Sequence, residues 1–379
     1  MTSFLASNRS RRTLAVALAA GVLVAACGGD DADTGGTTTV ATTTTTATGA
    51  PTTQAATTTT APTMPEARTD IPLVIYSGRH YGVEPVYADF TAKTGIKVEV
   101  VAGADQANLE RLRVEGERSP ADLLLTADTG TLALAADEGL LRPFMMTDDI
   151  AAIPEPYRDG EDRWTALSLR ARTIYVNPDA VAEADRPTSY ADLADPVWKD
   201  RVCLRPATHV YTQSWASFMI QNLGEERATE VISAIYDNST DATRIDSDTK
   251  IIETLAAGGC DVAIANTYYL GRFPTDVKAL IVWPEQGAGE PGVHLNASGA
   301  GIAVNADNPG AAQLFLAYMA GELQEDWVNV NSEYPANPNA PVSPTVAAWG
   351  APRFDERPLG RYGETRGDAL IVLARAGYR

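Results

Sequence analysis

LVIYSGRHYGVEPVYADFTAKTGIKVEVV, residues 73–101, decides the architecture. Leu73-Val74-Ile75-Tyr76 is a short apolar run closed by Ser77-Gly78, which reads as a strand and a turn. Val83, Val86, Tyr87 and Phe90 then recur at helical spacing until Gly95 stops the pattern. Residues 96–101 form the next strand. A helix through Leu109, Leu112 and Val114, a strand at 121–125 and a helix at 132–136 continue the series. Strands alternating with helices predict an α/β fold with a largely parallel sheet.

The alternation returns downstream. Residues 201–204, 261–265 and 279–283 read as strands, and 213–222, 225–236, 248–256, 309–320 and 323–330 as helices. Residues 167–176 and 298–305 are long extended stretches, either of which could cross between lobes as a hinge strand. The folded part is about 310 residues, more than one core usually serves, so two lobes are expected. The predicted layout places a first lobe at 71–170, a second lobe at 171–296, and a return to the first lobe with C-terminal helices at 297–379.

The beginning of the chain has another character. Arg9, Arg11 and Arg12 precede an apolar run, at 14–20 and 22–26, too short for a permanent membrane span. Residues 1–26 therefore read as an export signal, and Arg11-Arg12 hints at the twin-arginine type. The ending Leu23-Val24-Ala25-Ala26-Cys27 resembles the lipobox of bacterial lipoproteins, which implies cleavage before Cys27 and acylation of its thiol. Residues 27–70 are then a tether. From about 30 to 64 it is mostly Thr, Ala, Gly and Pro, cannot bury a core, and is expected to be disordered.

Composition excludes several functions. There are 49 acidic residues against 30 basic ones, a net charge of −19. Removing the leader's three arginines makes the exported chain more acidic still, so duplex nucleic acid is not an expected partner. No P-loop, paired CxxC or HExxH occurs, so the chain itself is not expected to hydrolyse ATP or hold a classical zinc site. With three histidines and no nucleophile elbow, an enzyme is not expected either. Of the three cysteines, Cys203 and Cys260 remain once Cys27 carries lipid. In an oxidising compartment they read as a disulfide, the other reading being two buried thiols.

Three segments share one placement. Ser77-Gly78-Arg79-His80-Tyr81 follows the first strand, Pro206-Ala207-Thr208-His209-Val210-Tyr211 follows the strand at Cys203, and Asn266-Thr267-Tyr268-Tyr269 follows the strand at Asp261. Ligands of open α/β sheets bind beyond the carboxyl ends of the strands. Phenolate oxygen is a hard anionic donor that suits Fe³⁺. Three phenolates neutralise that ion and a fourth leaves the site at −1, which Arg79, Arg205 or Arg272 could offset. A sugar- or aromatic-binding platform explains the adjacent pair Tyr268-Tyr269 about as well.

Longer segments carry a family pattern: Tyr76-Ser77-Gly78-Arg79-His80-Tyr81, Arg118-Ser119-Pro120-Ala121-Asp122-Leu123, Arg201-Val202-Cys203-Leu204-Arg205, Cys260-Asp261-Val262-Ala263-Ile264-Ala265-Asn266-Thr267-Tyr268-Tyr269, His294-Leu295-Asn296-Ala297-Ser298-Gly299-Ala300-Gly301 and Glu333-Tyr334-Pro335-Ala336-Asn337-Pro338. Over about 73–359 the chain resembles the extracytoplasmic iron(III)-binding proteins of ABC importers, the bacterial transferrins, in their tyrosine-rich subgroup. The resemblance implies two α/β lobes joined by hinge strands and closing over ligand. It also implies His80 and Tyr81 as ligands from the first lobe, and Tyr211, Tyr268 and Tyr269 from the second. In some members of that subgroup the histidine is not bound, or a water or an anion takes its place. The segment before Tyr211, rich in Ser and Asn in the subgroup, reads here Pro206-Ala207-Thr208-His209, and the role of His209 is open. The implied partners are an ABC permease and its ATPase. The implied protein is a monomer held at the extracytoplasmic face by its lipid alone.

Overall fold

The computed structural model describes residues 64–79 and 82–379. The export signal, Cys27, most of the tether, His80 and Tyr81 lie outside the described residues. The strands, in chain order, are β1 (Leu73–Ser77), β2 (Val98–Ala102), β3 (Leu123–Thr126), β4 (Leu141–Arg142), β5 (Thr165–Val176), β6 (Val202–Cys203), β7 (Val262–Asn266), β8 (Leu280–Val282), β9 (Leu295–Ala303) and β10 (Tyr334–Pro335). The α-helices are α1 (Glu84–Thr94), α2 (Asp105–Glu115), α3 (Thr129–Asp137), α4 (Asp148–Ala152), α5 (Val210–Leu223), α6 (Glu225–Asp237), α7 (Asp248–Ala256), α8 (Pro309–Ala320), α9 (Gln324–Asn329), α10 (Pro344–Ala347), α11 (Arg361–Glu364) and α12 (Arg366–Arg375).

The strand order along the sheet is β2-β1-β3-β9-β5-β7-β6, with β10 and β8 on β5 and β4 on β9. Only the outer pairs, β1 with β2 and β3 and β6 with β7, are parallel. The pairs at the centre, β3–β9, β5–β9 and β5–β7, are antiparallel. The sheet is therefore mixed rather than largely parallel. Local βαβ units produce the parallel edges, whereas the long strands between them are not linked by helical crossovers to the strands they meet.

β5 carries the two halves. Its residues from Thr165 to Ala171 pair with β9, and those from Arg172 to Val176 pair with β7. All twelve of its residues are buried. The turn-free stretch at 167–176 is thus the strand shared by both halves of the sheet, and β9 lies wholly within the first half.

Local chemistry explains the helices. α1 has Pro85 in its first turn and ends at Gly95, whose φ of 76° is left-handed. Its Phe90 is fully buried and meets Phe315 of α8 edge to face at 5.4 Å. Asp128 caps α3 by accepting from the Thr131 N–H, and Ser247 caps α7 from Lys250. Asn308 caps α8 and also holds the incoming chain, its Oδ1 accepting from Arg68 N at 3.0 Å and its Nδ2 donating to Arg68 O at 2.8 Å. Ordered contacts therefore begin before residue 71, the predicted end of the tether, because a buried Asn side chain supplies partners to otherwise free backbone.

Cys203 at the end of β6 is disulfide-bonded to Cys260, which precedes β7. Closing a loop of this length stabilises by about 4 kcal/mol in the chain-entropy model. The bond ties together the two strands whose following segments carry Tyr211 and Tyr268-Tyr269.

Candidate metal centre

Tyr211 sits in the first turn of α5, and Tyr268 and Tyr269 lie in the 3₁₀ turn Thr267–Arg272 that follows β7. All three are buried, at 4 to 6% exposure. The phenol oxygens of Tyr211 and Tyr268 are 3.0 Å apart. The Tyr268 and Tyr269 rings stack with centroids 4.3 Å apart. Tyr175 on β5 supports this turn from beneath, its hydroxyl donating to the carbonyls of Asn266 and Thr267, both at 3.1 Å.

α5 begins just before Tyr211 because His209 caps it: its Nδ1 accepts from the Tyr211 N–H at 3.2 Å. Burial first, and then the Arg205 guanidinium, lower the His209 pKa to about 3. The ring is neutral at physiological pH and keeps the lone pair that the cap needs. His209 thus acts on the backbone of the tyrosine two residues on.

Four arginines surround the phenols. Arg170 lies 5.4 Å from the Tyr211 ring centroid and Arg205 lies 5.6 Å from it. Arg272 stacks over Tyr269 at 4.5 Å. Arg79 lines the same small cavity as Arg170, Tyr211, Tyr268 and Ser298. Its charge is engaged, since it meets Glu333 at 2.6 Å and lies over the Trp327 ring at 4.2 Å.

Buried ion pairs lie behind the phenols. Glu333 is shared by Arg79 and by Arg170, the latter at 3.8 Å. Asp248 is shared by Arg172 at 3.2 Å and Arg205 at 3.4 Å. Arg205 also lies 3.7 Å from Asp246, and the buried Asp128 acts on Arg170, so several carboxylates share the guanidiniums behind the phenols. Arg170 also keeps its Nη2 without a hydrogen-bond partner. Burial acts to lower the Arg170 pKa, but Tyr211, Glu333 and Tyr268 hold it above the ordinary value. Burial, reinforced by Tyr211 and Tyr269, pushes the Tyr268 phenol well above its ordinary range. Tyr268 is therefore a neutral phenol at physiological pH, because its burial outweighs the pull of the Arg170 guanidinium.

Among the described residues no group of three or more His, Cys, Asp and Glu could hold a metal ion. The donors that do converge are phenols. Of the residues singled out from the sequence, Tyr211, Tyr268, Tyr269, Arg205 and Arg272 come together, and Arg79 stands beside them bound to Glu333. Sequence reasoning missed Arg170, Arg172, Asp248 and Glu333 as parts of the site. A signal existed: Arg170 and Arg172 stand two apart in an otherwise apolar extended run, which places both on one face of a buried strand.

Residues 118–354 match the family described as bacterial extracellular solute-binding protein. Over 315 residues the chain is 33% identical to Iron uptake protein A2 of Synechocystis sp., covering 80% of this chain and 89% of that one. Among solved structures, the Trichodesmium IdiA (FutA) protein in complex with iron and citrate ligands superposes with a TM-score of 0.74. It is 31% identical and matches 81% of this chain and 100% of its own. The ferric binding protein from Campylobacter jejuni gives a TM-score of 0.75 at 30% identity, again over 81% of this chain and 100% of its own. These are two-lobed binding and uptake proteins rather than enzymes. The chain belongs to the bacterial extracellular solute-binding proteins and, among them, to the family of the ferric iron-binding proteins.

Proposed function

We propose that this protein captures ferric iron in the cleft between its lobes and delivers it to an ABC-type permease whose separate ATPase drives transport. The observation that carries this reading is the set of three converging buried phenols with guanidiniums beside their rings. A bound trivalent ion displaces the phenol protons, and four phenolates around it leave one negative charge for the arginines to offset. The 3.0 Å between the Tyr211 and Tyr268 oxygens fits one edge of a coordination shell. Two adjacent oxygens of an octahedron with bonds of about 2.0 Å lie about 2.8 Å apart. The cavity beside them measures ≈ 10 Å³. That is room for about one water-sized body, a size that suits a single ion.

The ligands in this reading are Tyr211, Tyr268 and Tyr269 of the second lobe, with His80 and Tyr81 from the first. Iron meets the three tyrosines of residues 171–296 first, and closure of the lobe formed by 71–170 and 297–379 completes the shell. Arg205 and Arg272 then face the bound phenolates, and an anion or a water can fill a remaining position. The lipid on Cys27 and the tether keep the monomer near its permease at the extracytoplasmic face, which raises its effective concentration there.

Thermal unfolding with candidate ligands tests the ligand class. A ligand at about 100 times its Kd stabilises by about 2.7 kcal/mol, or roughly 5 °C for a domain of this size. Ferric citrate is expected to raise the Tm by at least this amount, and sugars, phosphonates and polyamines to leave it unchanged. A rise with one of those solutes and none with ferric citrate contradicts the reading.

A further inference from the structure

Behind the phenols a second polar cluster joins the two halves of the molecule, and Asn296 on β9 is its hub. Both hydrogens of its Nδ2 are donated at 2.7 Å, one to Asp128 Oδ1 and one to Ser214 Oγ. Its Oδ1 accepts from the Thr129 N–H at 3.2 Å and the Thr129 hydroxyl at 3.1 Å. These partners fix the amide orientation, since the reverse would set Nδ2 against the Thr129 N–H and Oδ1 against a carboxylate. Ser214 Oγ also meets His294 Nε2 at 2.9 Å. Asn296, Asp128, Thr129, Ser214 and His294 are each at most 4% exposed.

The partners belong to different parts of the fold. Asp128 and Thr129 open α3, which packs on the first half of the sheet, and Asp128 is its cap. Ser214 lies on α5, three residues after Tyr211 and so on the same helical face. Arg366 of α12 runs a parallel link, from Thr131 Oγ1 at 3.2 Å to Gln213 Oε1 at 3.1 Å.

We infer that Asn296 is a positioning residue for the binding site: it pins the helix that carries Tyr211 to the start of α3 through Ser214, and so sets where the Tyr211 phenol stands relative to the first lobe. Its effect on iron rests on the ligand role proposed for Tyr211, but its mechanical effect does not. Ser214→Ala removes the hydroxyl that joins α5 to Asn296 and to His294, and leaves the Asn296–Asp128 arm in place.

Two measurements on the full folded chain test this. In the metal-free protein, amide exchange at Tyr211, Thr212 and Gln213 is expected to speed at least about fivefold in Ser214→Ala, which loses two buried hydrogen bonds, with exchange at the start of α3 unchanged. Unchanged exchange in the first turn of α5 overturns the inference whatever the ligand is. In the iron-loaded protein, Ser214→Ala is expected to speed iron release about fivefold and to shift the visible absorption band, and to add nothing in a Tyr211→Phe background. An equal, additive effect in that background overturns the positioning role. If Tyr211→Phe alone leaves iron release unchanged while the exchange result holds, the hub stands and the ligand role of Tyr211 falls.

Discussion

Replacing Tyr268 and Tyr269 together by phenylalanine is expected to lower ferric affinity by at least about 10²-fold. Even outer-shell partners of a metal ligand cost about 10–100-fold when removed, so two direct donors set at least the product. The rings stay, and with them the 4.3 Å stack and the contact with Arg272, because only two hydroxyls are lost. The Tyr211–Tyr268 contact disappears, which changes the stability of the metal-free protein by only about 1 kcal/mol. Competition against a ferric chelator, with the Tm measured beside it, checks both halves. Affinity within tenfold of the parent protein removes the pair from the ligand set.

Acidification is expected to weaken iron binding steeply. Burial, with Tyr211 and Tyr269, raises the Tyr268 pKa well above 10, so the metal-free protein carries that proton at neutral pH and iron must displace it. Each displaced proton makes the binding constant fall tenfold per unit of falling pH. Loss of four phenol protons from the proposed ligand set gives about 10⁴-fold per unit. The sign for stability is separate. A phenol whose folded pKa is raised stabilises the fold only below its unfolded pKa of about 10, and stability falls as pH rises beyond it. Chelator competition between pH 6 and 8, corrected for the chelator's own protons, measures the slope. An affinity independent of pH means that phenols do not hold the metal.

Much of this geometry was legible in the sequence, for physical reasons that also mark where reading stopped. The helices at 248–256 and 309–320 have in the structure the bounds that the sequence predicts, and the caps Ser247 and Asn308 explain where they start. Tyr268-Tyr269 could be placed after a strand because 261–265 is apolar and short. The direction of the central strands could not be read, because antiparallel pairing of β5 with β9 and β7 is a property of partners far apart in sequence. β4 and β10, two residues each, exist only by virtue of their neighbours. The guanidinium cluster behind the phenols is illegible in the sequence for the same reason. Arg170 and Arg172 were visible in an extended stretch, but their meaning depends on Glu333 and Asp248, which arrive from distant segments. His209 shows the reverse case: its role is local, a cap for the helix of Tyr211, yet a histidine acceptor is rarer at that position than Ser, Thr, Asp or Asn.

The central claim is that buried tyrosines hold ferric iron, and an absorption spectrum recorded through a ferric titration of the purified protein tests it most directly. Phenolate bound to Fe³⁺ gives a charge-transfer colour in the visible that neither partner has alone. The account predicts a visible band that grows linearly to one equivalent of iron, stops there, and is absent from the Tyr268→Phe, Tyr269→Phe double variant. Iron bound at one equivalent by a protein that stays colourless would contradict it.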